Sequence, residues 1–159
     1  MKVIAYKDDN GGVTIVYPAY QSEWNQQEQD NFLLFVQNKD VPKLSDGSIR
    51  QSWIIDGEET LPTKYVRQAW DITNDGKLYF DMNKGYDVKK DHLRFLRKPF
   101  LEKLDIEFMK AFELNNTQEL LNVATKKQVL RDITNIDMSQ YQTPQDLHNF
   151  IPDVLKSTV

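Results

Sequence analysis

Apolar positions along the chain change their spacing once, near residue 84: before it they fall in short runs broken by turn residues, and after it they recur every three or four positions. Residues 3–6 and 13–17 are β-branched and aromatic runs on either side of Asp8-Asp9-Asn10-Gly11-Gly12, a cluster that supplies the positive φ angles of a hairpin loop. A helix is predicted between Tyr20 and Asn38. Ser22 or Asn25 would cap it, its apolar stripe would run through Phe32, Phe35 and Val36, and Asp40-Val41-Pro42 would end it. Within that span Gln26 to Asn31 is polar enough to read as a loose segment. Residues 52–56 read as a third strand closed by Asp56-Gly57. Residues 65–72 and 78–82, joined through Asn74-Asp75-Gly76, read as a second hairpin in which Val66, Ala69 and Trp70 meet Leu78 and Phe80.

The second half reads as helical. No glycine occurs in residues 88–113, and Leu93, Leu96, Phe100, Leu104, Phe108 and Phe112 draw one stripe along a helix. Pro99 interrupts it, which predicts either a kink at Lys98 or a junction of two helices. Asn115-Asn116-Thr117 is a short connection with Asn116 and Glu119 at capping-box spacing, and Leu120, Val123, Leu130 and Ile133 form a second stripe. So short a loop predicts antiparallel neighbours. Thr143-Pro144-Gln145-Asp146 starts one more short helix before Pro152. The fold expected is α+β: a β-rich part of hairpins plus one helix (residues 1–83), an antiparallel helical hairpin (84–134), and a C-terminal segment with a short helix (135–159), in one compact chain.

Composition narrows the chemistry. With 159 residues the chain can bury a core without covalent or metal staples. The absence of cysteine excludes disulfides, thiolate nucleophiles and Cys-type zinc sites, and two histidines leave little for imidazole chemistry. The net charge of -4 is unevenly spread: residues 1–83 carry 8 basic and 13 acidic side chains, the remainder 12 and 11. No apolar run spans a bilayer and the first residues lack a signal-peptide pattern, so a soluble chain made in a cytoplasm is expected.

The candidate sites are few. Asp71-Ile72-Thr73-Asn74-Asp75-Gly76 opens like a calcium-binding loop, but position 12 would be Met82 where a bidentate glutamate belongs, so a plain turn is expected. Asp8-Asp9 and Glu58-Glu59 read as solvated turn acids, and His92 as an isolated surface or capping residue far in sequence from His148. Glycine-rich phosphate loops and nucleophile elbows are missing, so no enzymatic activity, cofactor or metal is expected. Five cations between Lys89 and Lys98, interleaved with Phe95, raise nucleic-acid binding as an alternative, which Glu102, Asp105 and Glu107 just beyond disfavour. The apolar face of the long helix is wider than one partner helix would cover. Either it is a core helix pressed onto a sheet and a second helix, or part of it docks onto another chain.

The run Leu93-Arg94-Phe95-Leu96-Arg97-Lys98-Pro99-Phe100-Leu101-Glu102-Lys103-Leu104-Asp105, followed later by Lys127-Gln128-Val129-Leu130-Arg131-Asp132-Ile133-Thr134, resembles the C-terminal helical region of the tail assembly chaperones of tailed bacteriophages. The front half, with Tyr6-Lys7-Asp8-Asp9-Asn10-Gly11-Gly12-Val13 and Arg67-Gln68-Ala69-Trp70, is similar to small phage proteins. Arg94, Arg97, Leu104, Asp105, Gln128, Leu130, Arg131 and Asp132 are the positions that match the chaperone pattern. That resemblance implies a non-enzymatic phage protein that binds a tail or tail-fibre protein in the host cytoplasm and assists its assembly or attachment. The alternative is a minor component retained in the virion, and self-association stays open. The contact surface is expected at Arg94, Phe95, Arg97, Phe100, Phe108, Met109 and Phe112, with the arginines at the rim. Arg97 and Asp105 on the first helix are expected to pair with Asp132 and Arg131 on the second.

Overall fold

The computed structural model describes residues 1–57, 61–62 and 66–156. The expected turn acids Glu58-Glu59, and Tyr65 at the start of the second hairpin, lie outside them. The fold is α+β, with the β-rich part first and the helices after it. It divides into two compact units, Met1–Lys84 and Gly85–Val159.

The first unit is built around β1 (Lys2–Lys7), the middle strand of an antiparallel sheet ordered β2-β1-β3, with β2 at Val13–Val16 and β3 at Ser52–Asp56. Val3, Ile4, Ala5 and Tyr6 are all buried, so this strand is covered on both faces, which is why its sequence is a continuous apolar run rather than an alternating one. Successive side chains point to opposite sides. Ile4 and Tyr6 pack with Leu33, Val36 and Val41 around α1 (Gln26–Asp40), while Ala5 packs with Ile72 and Leu78 of the hairpin formed by β4 (Trp70–Ile72) and β5 (Leu78–Phe80). The unit is thus a helix, a sheet and a hairpin, layered with β1 at the centre.

Three expectations for this unit are corrected. Gln26 to Asn31 is helix, not a loose segment. Asn25 accepts the Glu28 amide while the Glu28 carboxylate accepts the Asn25 amide, and Gln26 donates to Asp30 and Gln27 to Asn31 one turn on, so side chains satisfy a helix start that has no apolar residue. The buried stripe of α1 is Leu33 and Val36. Phe35 is exposed, stacked on Phe32 at 6.1 Å with the Lys39 ammonium 5.9 Å from its ring centre. The second hairpin begins later than expected, because Arg67–Ala69 forms a 3-10 turn entered through Val66 at φ 58°, leaving three residues for β4.

The long helix α2 runs Met82–Glu113, through the place where the sequence suggests a kink or a junction, with Pro99 inside it. Proline has no amide hydrogen, so the Phe95 carbonyl loses its donor four residues on. The helix ends in a Schellman arrangement: Asn115 takes a left-handed φ of 51°, its amide donates to the Phe112 carbonyl and the Asn116 amide to that of Ala111. Asn116 then caps α3 (Thr117–Asp132) by accepting the Glu119 amide. One asparagine closes a helix and the next opens another, which gives the hairpin. Beyond a 3-10 turn, Ile133–Asn135, the chain holds two short helices rather than one, α4 (Pro144–Asn149) and α5 (Asp153–Lys156). This segment returns to the front of α2, where Tyr86 donates to the Tyr141 carbonyl and Lys89 to the His148 carbonyl.

Candidate functional site

Along α2 the stripe of Leu93, Leu96, Phe100, Leu104, Phe108 and Phe112 goes from buried to exposed toward the hairpin tip, whereas Ala111, outside that stripe, stays buried. Leu93 and Ala111 are fully covered, Leu96, Phe100, Leu104 and Phe108 are half-buried, and Phe112 is exposed. Val123 and Leu130 are the buried residues of α3. At about 100° per residue, Phe95, Ile106 and Met109 lie within about 60° of one another on the side of α2 opposite Leu93 and Ala111. These three, with Phe112, Leu114 and Leu121 toward the tip, are between 54% and 78% exposed. The hairpin therefore carries a second apolar surface that the chain's own packing does not cover.

The seven residues expected from the sequence to form a contact surface are placed differently. Phe95, Met109 and Phe112 stand in solvent, while Phe100 and Phe108 are half-buried, the latter with the Lys127 ammonium 5.2 Å from its ring centre. Arg94 is on the surface, engaged with Asp91 one turn back. Arg97 is not a rim residue: it turns inward and donates to the carbonyls of Leu130, at 3.2 Å, and Arg131, at 2.6 Å. The expected crossed pairing of Arg97 and Asp105 with Asp132 and Arg131 is likewise replaced. Asp105 pairs with Lys127, and Asp132 accepts from Gln128 and Asn135. The last carbonyls of a helix have no intrahelical donor, and a guanidinium there meets both that need and the negative end of the helix dipole.

A groove of about 340 Å³ opens between α2, α3 and α5. Its apolar lining comes from Phe100, Leu104, Val129, Leu130 and Val154, and Lys103, Lys126 and Glu107 stand along it. Among the described residues neither Lys103 nor Lys126 has an ion-pair partner. The more basic run before it is differently placed. Lys90 pairs with Asp87 and Lys98 with Glu102, while Lys89, buried, donates to the His148 carbonyl at 2.8 Å; with Arg94 and Arg97 engaged as above, all five cations have partners inside the chain.

Sequence reasoning missed that His148 returns close enough to Lys89 and His92 for Lys89 and His148 both to act on the His92 ring. Loss of water lowers the Lys89 pKa from its usual value. The same effect, with the positive fields of Lys89 and His148, lowers that of His92. The spacing of Lys89 and His92, one turn apart, was visible in the sequence, whereas the return of His148 was not. Among the described residues no three His, Cys, Asp or Glu side chains converge to hold a metal ion, and no helix is long and apolar enough to cross a membrane. Compared with protein-family models, curated proteins and solved structures, the chain matches none.

Proposed function

We propose that this chain is a non-enzymatic bacteriophage tail-module protein that binds a tail or tail-fibre protein through its helical hairpin during assembly in the host cytoplasm. The observation that supports the binding role is the exposure of Phe95, Ile106, Met109, Phe112, Leu114 and Leu121 on the hairpin. Large apolar side chains grouped in this way on a water-facing surface mark a protein contact. Each such side chain gains about 1.5–3 kcal/mol when a partner covers it completely. The resemblance of residues 93–105 and 127–134 to the tail assembly chaperones supports the phage assignment. The internal engagement of the five cations in residues 89–98 favours a protein partner over a phosphate backbone, which needs several free cations to bind well.

Co-expression with a tail-fibre protein of a tailed phage tests the reading. A co-purifying complex, with more fibre protein in the soluble fraction, is the expected result. No complex and no gain in soluble fibre would contradict it.

A further inference from the structure

We propose that the groove between α2, α3 and α5 seats an amphipathic helix from the partner, with acidic residues flanking its apolar ridge. The inference rests on the protein-binding reading above, though not on the partner being a tail fibre. Two antiparallel helices leave a channel between them into which a third helix packs its ridge of side chains. Here the floor is apolar, made by Phe100 and Leu104 from one helix, Val129 and Leu130 from the other, and Val154 at α5. Its volume of about 340 Å³ is at the small end of ligand clefts, so it takes a few apolar side chains rather than a whole domain.

Charge selects the occupant. Lys103 on α2 and Lys126 on α3 stand beside this floor, and among the described residues neither is neutralised by an acid of its own chain. Lys127 is paired with Asp105 and Lys98 with Glu102, and of the hairpin cations without an ion pair among the described residues, Lys103 and Lys126 are the two that line the groove. Glu107, one turn on from Lys103, is the single acid lining it. A ridge flanked by glutamates or aspartates would pair with the lysines and pass over Glu107, whereas a ridge flanked by lysines would meet two like charges and gain one opposite charge. A second copy of this chain is a poorer occupant, because the exposed apolar row of α2 that would enter the groove carries Lys98 beside Glu102 and offers no uniform acidic flank.

The test uses the full chain and two fluorescein-labelled synthetic helical peptides with leucines at positions i, i+3, i+4 and i+7, one flanked by glutamates and one by lysines. Fluorescence anisotropy should show the glutamate peptide binding about tenfold more tightly, a preference that shrinks as salt rises. The double variant Lys103→Glu with Lys126→Glu should reverse the preference, Glu107→Gln should tighten the glutamate peptide, and Val129→Glu, at a half-exposed position, should abolish binding without changing the melting temperature. Equal binding of the two peptides, or binding indifferent to Val129→Glu or to the lysine reversals, overturns the inference. So does a homodimer in sedimentation that Val129→Glu dissociates. If the glutamate peptide binds while the fibre protein does not, the groove stands and the phage reading falls. If the fibre complex forms and survives Val129→Glu, the phage reading stands and the groove falls.

Discussion

Arg97 donates from Nη1 to the backbone carbonyl of Arg131 at 2.6 Å, and to that of Leu130 at 3.2 Å, so a side chain of α2 closes the open end of α3. The pairing of the helices is therefore locked by a side-chain-to-backbone clamp where a pair of salt bridges would have been weaker and screened by salt. Arg97→Ala is expected to cost about 1–2 kcal/mol, since a charged hydrogen bond and a favourable dipole interaction are both lost. Arg97→Lys should recover only part, because an ammonium lacks the planar fork. Asp132→Asn should change stability by less than about 0.5 kcal/mol. Urea unfolding of the three variants checks the order.

Asp71 is nearly buried, between Lys7 Nζ at 2.7 Å and Lys84 Nζ at 2.8 Å. Burial pushes its carboxyl up, but the hydrogen bonds from Lys7, from Lys84 and from the Ile72 amide outweigh that, and the pKa falls from 3.8 to about 2. A carboxyl that is more acidic in the folded state adds stability above its unfolded value and loses it as pH falls. The contribution, about 2 kcal/mol by linkage, should be complete above pH 4 and vanish as pH drops through about 2. Asp71→Asn should lower stability at neutral pH and flatten the acid limb, measured as the difference between the two pH profiles because other acids titrate there too.

The pKa of His92 is lowered from 6.5 by loss of water, by Lys89 and by His148. The unfolded chain then binds the proton more readily, so stability falls as pH drops below 6.5 toward the folded value. Lys89→Met keeps the length of the buried stem and removes one positive field, so the His92 pKa should move back up toward 6.5. An NMR titration of the His92 ring proton reads this directly, and an unmoved pKa would show that Lys89 does not act on it.

Gly76 sits in the β4-β5 turn at φ +87°, and a Cβ there would overlap the Trp53 ring at Cδ1. Gly76→Ala should cost about 1–3 kcal/mol from the left-handed backbone and the overlap together. Gly47 has a similar φ of +83° with open space around it, so Gly47→Ala should cost only about 1 kcal/mol. Thermal melts followed by tryptophan fluorescence compare the two.

What the sequence revealed and what it hid follow from where each signal resides. The apolar run of β1, the glycine turns and the Leu93-to-Phe108 stripe are local patterns, and local patterns survive folding when burial agrees with them. At the start of α1 the cap Asn25 was legible as one of two candidates, but Gln26 to Asn31 read as loose because their stabilisation is polar, carried by Asn25 and Glu28, where hydrophobic period says nothing. The pairing of Arg97 was misread because counting charges treats carboxylates as the only acceptors, whereas a helix end offers carbonyls without an intrahelical donor. For the contact surface, the aromatic width of α2 was visible, but which members face water depends on how α3 packs. That is why Phe100 and Phe108 were grouped with Phe95, and why Ile106, Leu114 and Leu121 were missed.

Replacing Phe95, Met109 and Phe112 together by serine, in the chain co-expressed with the fibre protein, is the most direct measurement of the hairpin's role. All three are largely exposed, so the melting temperature of the isolated variant should stay within a few degrees of the parent, as expected for substitutions worth about 0.5 kcal/mol each. Size-exclusion chromatography with light scattering should show the parent chain in a complex and the variant eluting alone. A variant that melts like the parent and still forms the complex would contradict the claim that this hairpin surface is what the chain binds with.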